Sequence, residues 1–323
     1  MKDLYLRPRR STRGCLIAVI LLLLVILAAW WFWRRPKAEE PAPDSPAAIP
    51  ATAAAPAPVP AAKEPPPAPE AKAPAPKAPV ASRPSPAAAD PGLDLLARAR
   101  ELRASDKLVE ARDAAWQALA QSSNEVARTG AEALLNEVNI ELLLSPRMMP
   151  EKEEYVVASG DSLDKLRKKF GTTVEVIRRS NRIPGDVIRA GDRFRIFKGR
   201  FTIQVSKSRN DLVLMMNDRF FKRYRVGTGE YGKTPTGDFT IKEKIAQPTW
   251  WRPDGKPIPF GDPENVLGTH WLSLDIPGYG IHGTWEPDTI GKQASAGCIR
   301  LLNAEVEELF NLVPEGTPVR IVE

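Results

Sequence analysis

Residues 201–226 read FTIQVSKSRNDLVLMMNDRFFKRYRV. Phe201, Ile203 and Val205 alternate with polar neighbours, and Leu212, Leu214 and Met216 repeat the spacing of two. A turn at Asn217-Asp218 then leads back through Phe220 to Tyr224 and Val226. A period of two puts successive side chains on opposite faces of a pleated strand, so the stretch predicts a β-meander. Downstream, Pro235, Pro248, Pro253, Pro257, Pro259, Pro263 and Pro277 separate short apolar runs. Proline cannot donate to a strand ladder, and this spacing predicts a mainly-β domain over 200–323: an irregular β-sandwich with long loops, not a parallel α/β sheet. In this half only Val306 to Leu312 reads as a helix.

The chemistry concentrates late in that domain. The chain has two histidines, His270 and His282, and both lie within 29 residues of Cys298. A cysteine and a histidine are the smallest set for covalent acyl transfer, because imidazole takes the thiol proton and the thiolate attacks a carbonyl. The cysteine sits in Ser295-Ala296-Gly297-Cys298-Ile299-Arg300. Gly297 lets the chain turn sharply, aiming its own amide and that of Cys298 at a developing oxyanion. Arg300 offers a bidentate fork to a substrate carboxylate. Two other readings use the same residues: an inert buried cysteine, and a Cys-His-His zinc site that lacks closely paired ligands.

His282-Gly283 and, thirteen positions on from His282, Ser295-x-Gly297-Cys298-x-Arg300 resemble the signature of the L,D-transpeptidase catalytic domain, also called the YkuD domain. The likeness runs through 200–323. It includes Val226-Gly227-Thr228-Gly229, Lys233-Thr234-Pro235-Thr236-Gly237-Asp238-Phe239, Leu267-Gly268-Thr269, Tyr279-Gly280-Ile281-His282-Gly283-Thr284 and Val313-Pro314-Glu315-Gly316-Thr317. Where many members carry histidine inside the Ser-x-Gly-Cys step, this chain has Ala296.

The resemblance implies that Cys298 is the nucleophile and His282 its base. It makes the amides of Gly297 and Cys298 the oxyanion donors and Arg300 a substrate holder, with Ser295, Gly283, Tyr279, His270 and Trp285 around the substrate. The role of the histidine missing at Ala296 is then either absent or taken by His270. The implied reaction cleaves the bond between a diamino acid and the terminal D-Ala of a peptidoglycan tetrapeptide. D-Ala leaves, and a neighbouring diamino-acid amine takes the acyl group to form a 3–3 cross-link. Water in place of that amine makes the enzyme an L,D-carboxypeptidase. No metal or organic cofactor is implied. Two further readings stand beside this one: a non-catalytic peptidoglycan-binding protein, and a cysteine peptidase of ordinary L,L bonds.

Residues 154–198 read strand, helix, helix, strand. Tyr155-Val156-Val157, Gly160-Asp161-Ser162-Leu163, Phe170-Gly171-Thr172-Thr173, Ser180-Asn181-Arg182-Ile183 and Ala190-Gly191-Asp192-Arg193-Phe194-Arg195-Ile196 resemble the βααβ LysM module, which implies binding of N-acetylglucosamine-containing glycans. Asp161 or Ser162 caps the first helix, and Arg167 stands where the family usually has a small residue. Residues 92–150 carry apolar stripes at helical spacing: Leu93 with Leu96, Leu95 with Ala99 and Leu102, Leu108 with Ala111, Ala115 and Leu119, then Val126, Leu134, Leu135 and Val138. They predict two or three helices closed by Ser145-Pro146, similar to one tetratricopeptide hairpin, and read as a spacer or helical cap.

Between residues 34 and 91 proline and alanine dominate and no aromatic residue occurs after Trp33, a composition that cannot build a core. In a polyproline-like form this linker reaches on the order of 170 Å. Before it, Gly14 to Trp33 holds twenty residues without a charge, enough to cross a bilayer. Lys2, Arg7, Arg9, Arg10 and Arg13 in the basic tail 1–13 favour the amino end inside, so all that follows Trp33 is expected to be extracytoplasmic. Cys15 and Cys298 then lie on opposite sides of the membrane. The formal net charge of +6 is concentrated in the tail and in 151–200, which argues against a nucleic-acid footprint along the chain.

Overall fold

The computed structural model describes residues 90–323. The expected tail 1–13, transmembrane helix 14–33 and nearly all of the linker 34–91 lie outside the described residues. Among the described residues no helix is long and apolar enough to cross a membrane.

Three helices open the described chain: α1 (Pro91–Ala104), α2 (Leu108–Gln121) and α3 (Glu125–Leu144). The first starts inside the end of the expected linker. Proline is well suited to a first helical position, and Asp90 caps the helix by accepting from Gly92 N at 2.7 Å. Asp90 also accepts from Ser122 Oγ at 2.9 Å and Asn124 N at 3.1 Å, tying this start to the turn between α2 and α3. Ala99, Ala111, Ala115 and Ala131 are fully buried, small residues that let the helices approach closely, and Leu135 and Val138 are fully buried beside them.

The next module is β1 (Lys152–Val156), α4 (Leu163–Phe170), α5 (Val174–Asn181) and β2 (Arg193–Phe197), with β1 and β2 antiparallel and Tyr155 opposite Phe194. Ser162 caps α4 by accepting from Lys165 N at 3.2 Å, whereas Asp161 accepts from Tyr155 Oη and Ala158 N, both at 2.8 Å. Leu163, Leu166, Ile177, Phe194 and Ile196 form its core. Arg167 stays out of that core and pairs with Asp164 at 2.8 Å on the surface. Thr173 caps α5 and also donates to the Asn311 carbonyl at 2.6 Å, which joins this module to the last one.

The remainder comprises β3 (Phe201–Ser206), β4 (Asp211–Met216), β5 (Arg219–Arg225), β6 (Thr228–Gly229), β7 (Gly237–Ala246), β8 (Trp250–Trp251), β9 (Pro257–Ile258), β10 (His270–Leu274), β11 (Gly280–His282), β12 (Gln293–Ser295), β13 (Ile299–Arg300), α6 (Asn303–Leu312) and β14 (Pro318–Val322). The meander β3–β4–β5 forms as expected. Asn217 and Asp218 both take positive φ, 48° and 61°, the conformation a two-residue hairpin loop requires.

The domain is mainly β, but the expected sandwich is replaced by one curled eight-stranded sheet in the order β13-β11-β10-β7-β14-β3-β4-β5. The reason is β7. Its Gly237–Thr240 half pairs with β14 and its Ile241–Ala246 half with β10, so a single ten-residue strand carries both halves of the sheet. Helix α6 buries Val306, Leu309 and Leu312 against the same core as Leu272, Ile281 and Ile299. Strand β5 ends the sheet and is covered by the amino-terminal helices. Trp116 Nε1 donates to the Phe220 carbonyl at 2.7 Å, and Asn139 Nδ2 donates to that of Phe221 at 2.9 Å.

Candidate active site

Strands β11 and β13 run parallel, pairing Ile281 with Ile299 and His282 with Arg300. Ile281 and Ile299 point into the core, so alternation puts His282 and Arg300 on the opposite face, together with Cys298, the residue just before β13. Strand spacing and rise set the Cα atoms of Cys298 and His282 about 8 Å apart on this diagonal. Sγ of half-buried Cys298 lies 3.6 Å from the Gly278 carbonyl, and among the described residues no hydrogen bond joins it to His282.

His282 is only 3% exposed. Its Nδ1 lies 2.6 Å from the Gly283 carbonyl oxygen. A carbonyl only accepts, so Nδ1 carries the proton and Nε2 the lone pair. The Trp271 ring lies 5.7 Å from the imidazole, inclined 31° to it. Burial holds the imidazole down to about 4; bonding to the Gly283 carbonyl opposes this, the Arg300 charge adds to it, and the Leu267 carbonyl opposes it again. Burial also pushes the Cys298 thiol up, against the opposing pull of the Gly280 amide and Arg300. The resting site therefore holds a neutral thiol and a neutral imidazole at pH 7.

The turn before Cys298 is built from side chains on both sides. Ser295 Oγ accepts from Gly297 N at 3.1 Å and donates to the Cys298 carbonyl at 2.7 Å. Gly297 has φ +137°, and a Cβ there would stand 2.8 Å from Tyr279 Cε1, so both backbone and space require glycine. Its carbonyl accepts from Thr234 Oγ1 at 2.8 Å. Arg300 Nη1 donates to Glu286 Oε2 at 3.0 Å, while Arg300 Nε is buried without a partner. Trp285 is 52% exposed, with the Phe260 ring 6.4 Å away.

The structure thus brings together Cys298, His282, Gly297, Ser295, Arg300 and Tyr279, and Trp285 precedes Glu286, the partner of Arg300. It separates His270 from them. Strand alternation turns His270 to the face opposite Trp271 and His282, where its ring packs 4.6 Å from Phe310. His270 therefore neither lines the site nor stands in for a histidine at Ala296, which is exposed on the turn. A Cys-His-His zinc site fails for the same reason, and among the described residues no group of three His, Cys, Asp or Glu side chains is arranged to share a metal ion. The amide of Gly297, expected to face an oxyanion, is taken by Ser295, while the Cys298 N–H has no acceptor among the described residues. Gly283 works through its carbonyl, and its missing side chain makes room for Asn303 Oδ1, 2.1 Å from where a Cβ would stand.

The L,D-transpeptidase catalytic domain known as YkuD matches residues 200–321, and the LysM domain matches 155–197. The provisionally named L,D-transpeptidase YkuD of Bacillus licheniformis is 35% identical over 175 residues, covering 52% of this chain and 97% of that protein. The chain belongs to the YkuD family of L,D-transpeptidases. The provisionally named family member YqjB of Bacillus subtilis is 38% identical over 125 residues, 37% of this chain and 69% of its own length. A solved L,D-transpeptidase from Mycobacterium smegmatis overlaps 41% of this chain and 64% of its own at a TM-score of 0.34 and 20% identity.

Four parts of this YkuD-family site were missed in the sequence. They are the Gly283 carbonyl at His282, the Trp271 ring, the Thr234 hydroxyl and the Glu286 carboxylate. Trp271 alone had a local signal, since alternation along His270–Leu274 puts it on the face opposite His270. Thr234 and Glu286 depend on contacts between separate loops, and the Gly283 carbonyl, although next to His282 in the chain, is set by the local backbone conformation, which residue types do not reveal.

Proposed function

We propose that this chain is a peptidoglycan L,D-transpeptidase with Cys298 as nucleophile and His282 as general base. The observation that supports the reading best is the placement of Cys298, His282 and Arg300 on one face of β11 and β13, with Nδ1 of His282 held by the Gly283 carbonyl. As substrate settles, Nε2 takes the thiol proton and Sγ attacks the carbonyl between the diamino acid and the terminal D-Ala. The Cys298 N–H faces the oxyanion. The imidazolium returns its proton to the D-Ala nitrogen, the C–N bond breaks and a thioester is left. The side-chain amine of a neighbouring diamino acid then attacks the thioester, loses a proton through His282 and frees the thiol, leaving a 3–3 cross-link. In this reading Arg300 grips a donor carboxylate, and Tyr279 and Trp285 flank the stem peptide.

The rest of the chain fits the same reading. The LysM module binds the glycan strand, while the apolar stretch 14–33 anchors the chain in the cytoplasmic membrane with the catalytic domain outside, serving wall biogenesis and cell shape. The test is intact-protein mass spectrometry of the full chain in detergent with a diaminopimelate tetrapeptide, beside Cys298→Ala. A thioester adduct and free D-Ala, both absent from the variant, are the expected result. D-Ala release with no cross-linked dimer at saturating acceptor would assign an L,D-carboxypeptidase. Sacculus binding by both proteins with neither adduct nor D-Ala would assign a peptidoglycan-binding protein.

A further inference from the structure

The carbonyl of Gly297 and the N–H of Cys298 belong to one peptide unit. A trans peptide is planar, so its C=O and N–H point in opposite directions, and whatever holds one aims the other. Thr234 Oγ1 donates to the Gly297 carbonyl at 2.8 Å and accepts from Gly229 N at 2.7 Å. Thr234 is 1% exposed, and Gly229 belongs to β6, which pairs with β12 just before the turn. The hydroxyl is thus fixed at both ends. Gly297 itself has φ +137°, and among the described residues no donor other than Thr234 reaches its carbonyl. Ser295 holds the preceding amide, Gly297 N–H, and not this peptide unit.

We propose that Thr234 is the positioning residue that aims the Cys298 N–H at the oxyanion, through the Gly297 peptide. This rests on the reading of Cys298 as an acyl-transfer nucleophile. Thr234 touches neither substrate nor thiol, and its effect is confined to the step in which negative charge builds on the carbonyl oxygen.

Two reactions of the same cysteine separate this role from a general structural one. Acylation by a diaminopimelate tetrapeptide develops an oxyanion, whereas alkylation by iodoacetamide displaces iodide at carbon and develops none. In Thr234→Val, which keeps the shape and removes the hydroxyl, acylation should slow about ten- to a hundredfold with donor KM within about twofold, in line with the loss of an aimed donor. Iodoacetamide alkylation should stay within about twofold of wild type, and Thr234→Ser should restore acylation. Wild-type acylation in Thr234→Val, or equal slowing of acylation and alkylation, overturns the assignment. Absence of acylation in the wild-type chain would instead refute the nucleophile reading, so the two failures are told apart by the wild-type control.

Discussion

Arg300 Nη1 lies 3.0 Å from Glu286 Oε2 in a pair whose two ends differ in environment: the Arg300 side chain is 15% exposed and that of Glu286 67%. The guanidinium is mostly buried, near enough to Cys298 and His282 for its charge to act on both, whereas the carboxylate is largely in water. If Arg300 grips the donor carboxylate, Glu286 is its resident competitor. Exposed ion pairs are worth about 0–1 kcal/mol, which is up to about a fivefold change in binding. Glu286→Gln should therefore lower the donor KM by about two- to fivefold and leave kcat within about twofold. Steady-state D-Ala release measures both, and a raised KM would show that Glu286 orients Arg300 instead of competing for it.

Burial raises the Cys298 thiol above its ordinary value of 9.0, and the nearby Arg300 charge partly offsets this. The thiolate is the reactive form, so alkylation in the absence of substrate should climb about tenfold per pH unit and show no plateau below pH 9. Arg300→Met removes the offsetting charge and should slow alkylation at pH 8 further. Iodoacetamide rates from pH 6 to 10 provide the check. A plateau near pH 6–7 would mean a preformed thiolate–imidazolium pair and a different resting geometry.

His282 moves from 6.5 to about 4 because burial disfavours its charged form. Between those values the unfolded chain binds a proton there and the folded chain does not. Folding stability therefore falls as pH drops from 6.5 towards 4, by ~3 kcal/mol from this residue alone. His282→Gln has no such proton to bind. Urea unfolding at pH 7 and pH 4.5 should show an acid loss smaller by ~2–3 kcal/mol in the variant than in wild type. Equal losses would place the imidazole in contact with solvent.

The parts of this molecule that were legible in the sequence are those set by local periodicity or by neighbouring residues. Phe201 to Val226 announced its meander through apolar residues spaced two apart, and Ser162 and Asn217-Asp218 carried the cap and the turn in their own side chains. Cys298, Gly297 and Arg300 came as one hexapeptide. What was hidden depends on pairing across distance. Nothing in Gly237–Ala246 says that one strand serves two neighbours at different points, so a sandwich was expected where a single curled sheet exists. His270 was placed around the substrate by the resemblance and by its chemical type, although strand parity relative to His282 turns it away. Glu286 and Thr234 reach the site from separate loops, and no spacing rule connects them to Cys298.

The helical segment protects the last strand of the sheet. A bulge between Leu214 and Met215 leaves Phe221 unmatched in the β4–β5 ladder, and its carbonyl is satisfied by Asn139 from α3. Open edges invite pairing with other chains, and a buried carbonyl left without its donor costs about 1–3 kcal/mol. Asn139→Ala should lower Tm by about 3–10 °C for a unit of this size. Adding Trp116→Phe, which removes the donor to Phe220, should deepen the loss and promote self-association through β5. Iodoacetamide alkylation of Cys298 at 25 °C should be unchanged in both, since the edge lies at the far end of the sheet from β13. Thermal unfolding with light scattering decides the matter. An unaltered Tm in the double variant would mean that the helices rest against β5 without holding it, and the segment would then be a spacer and not a cap.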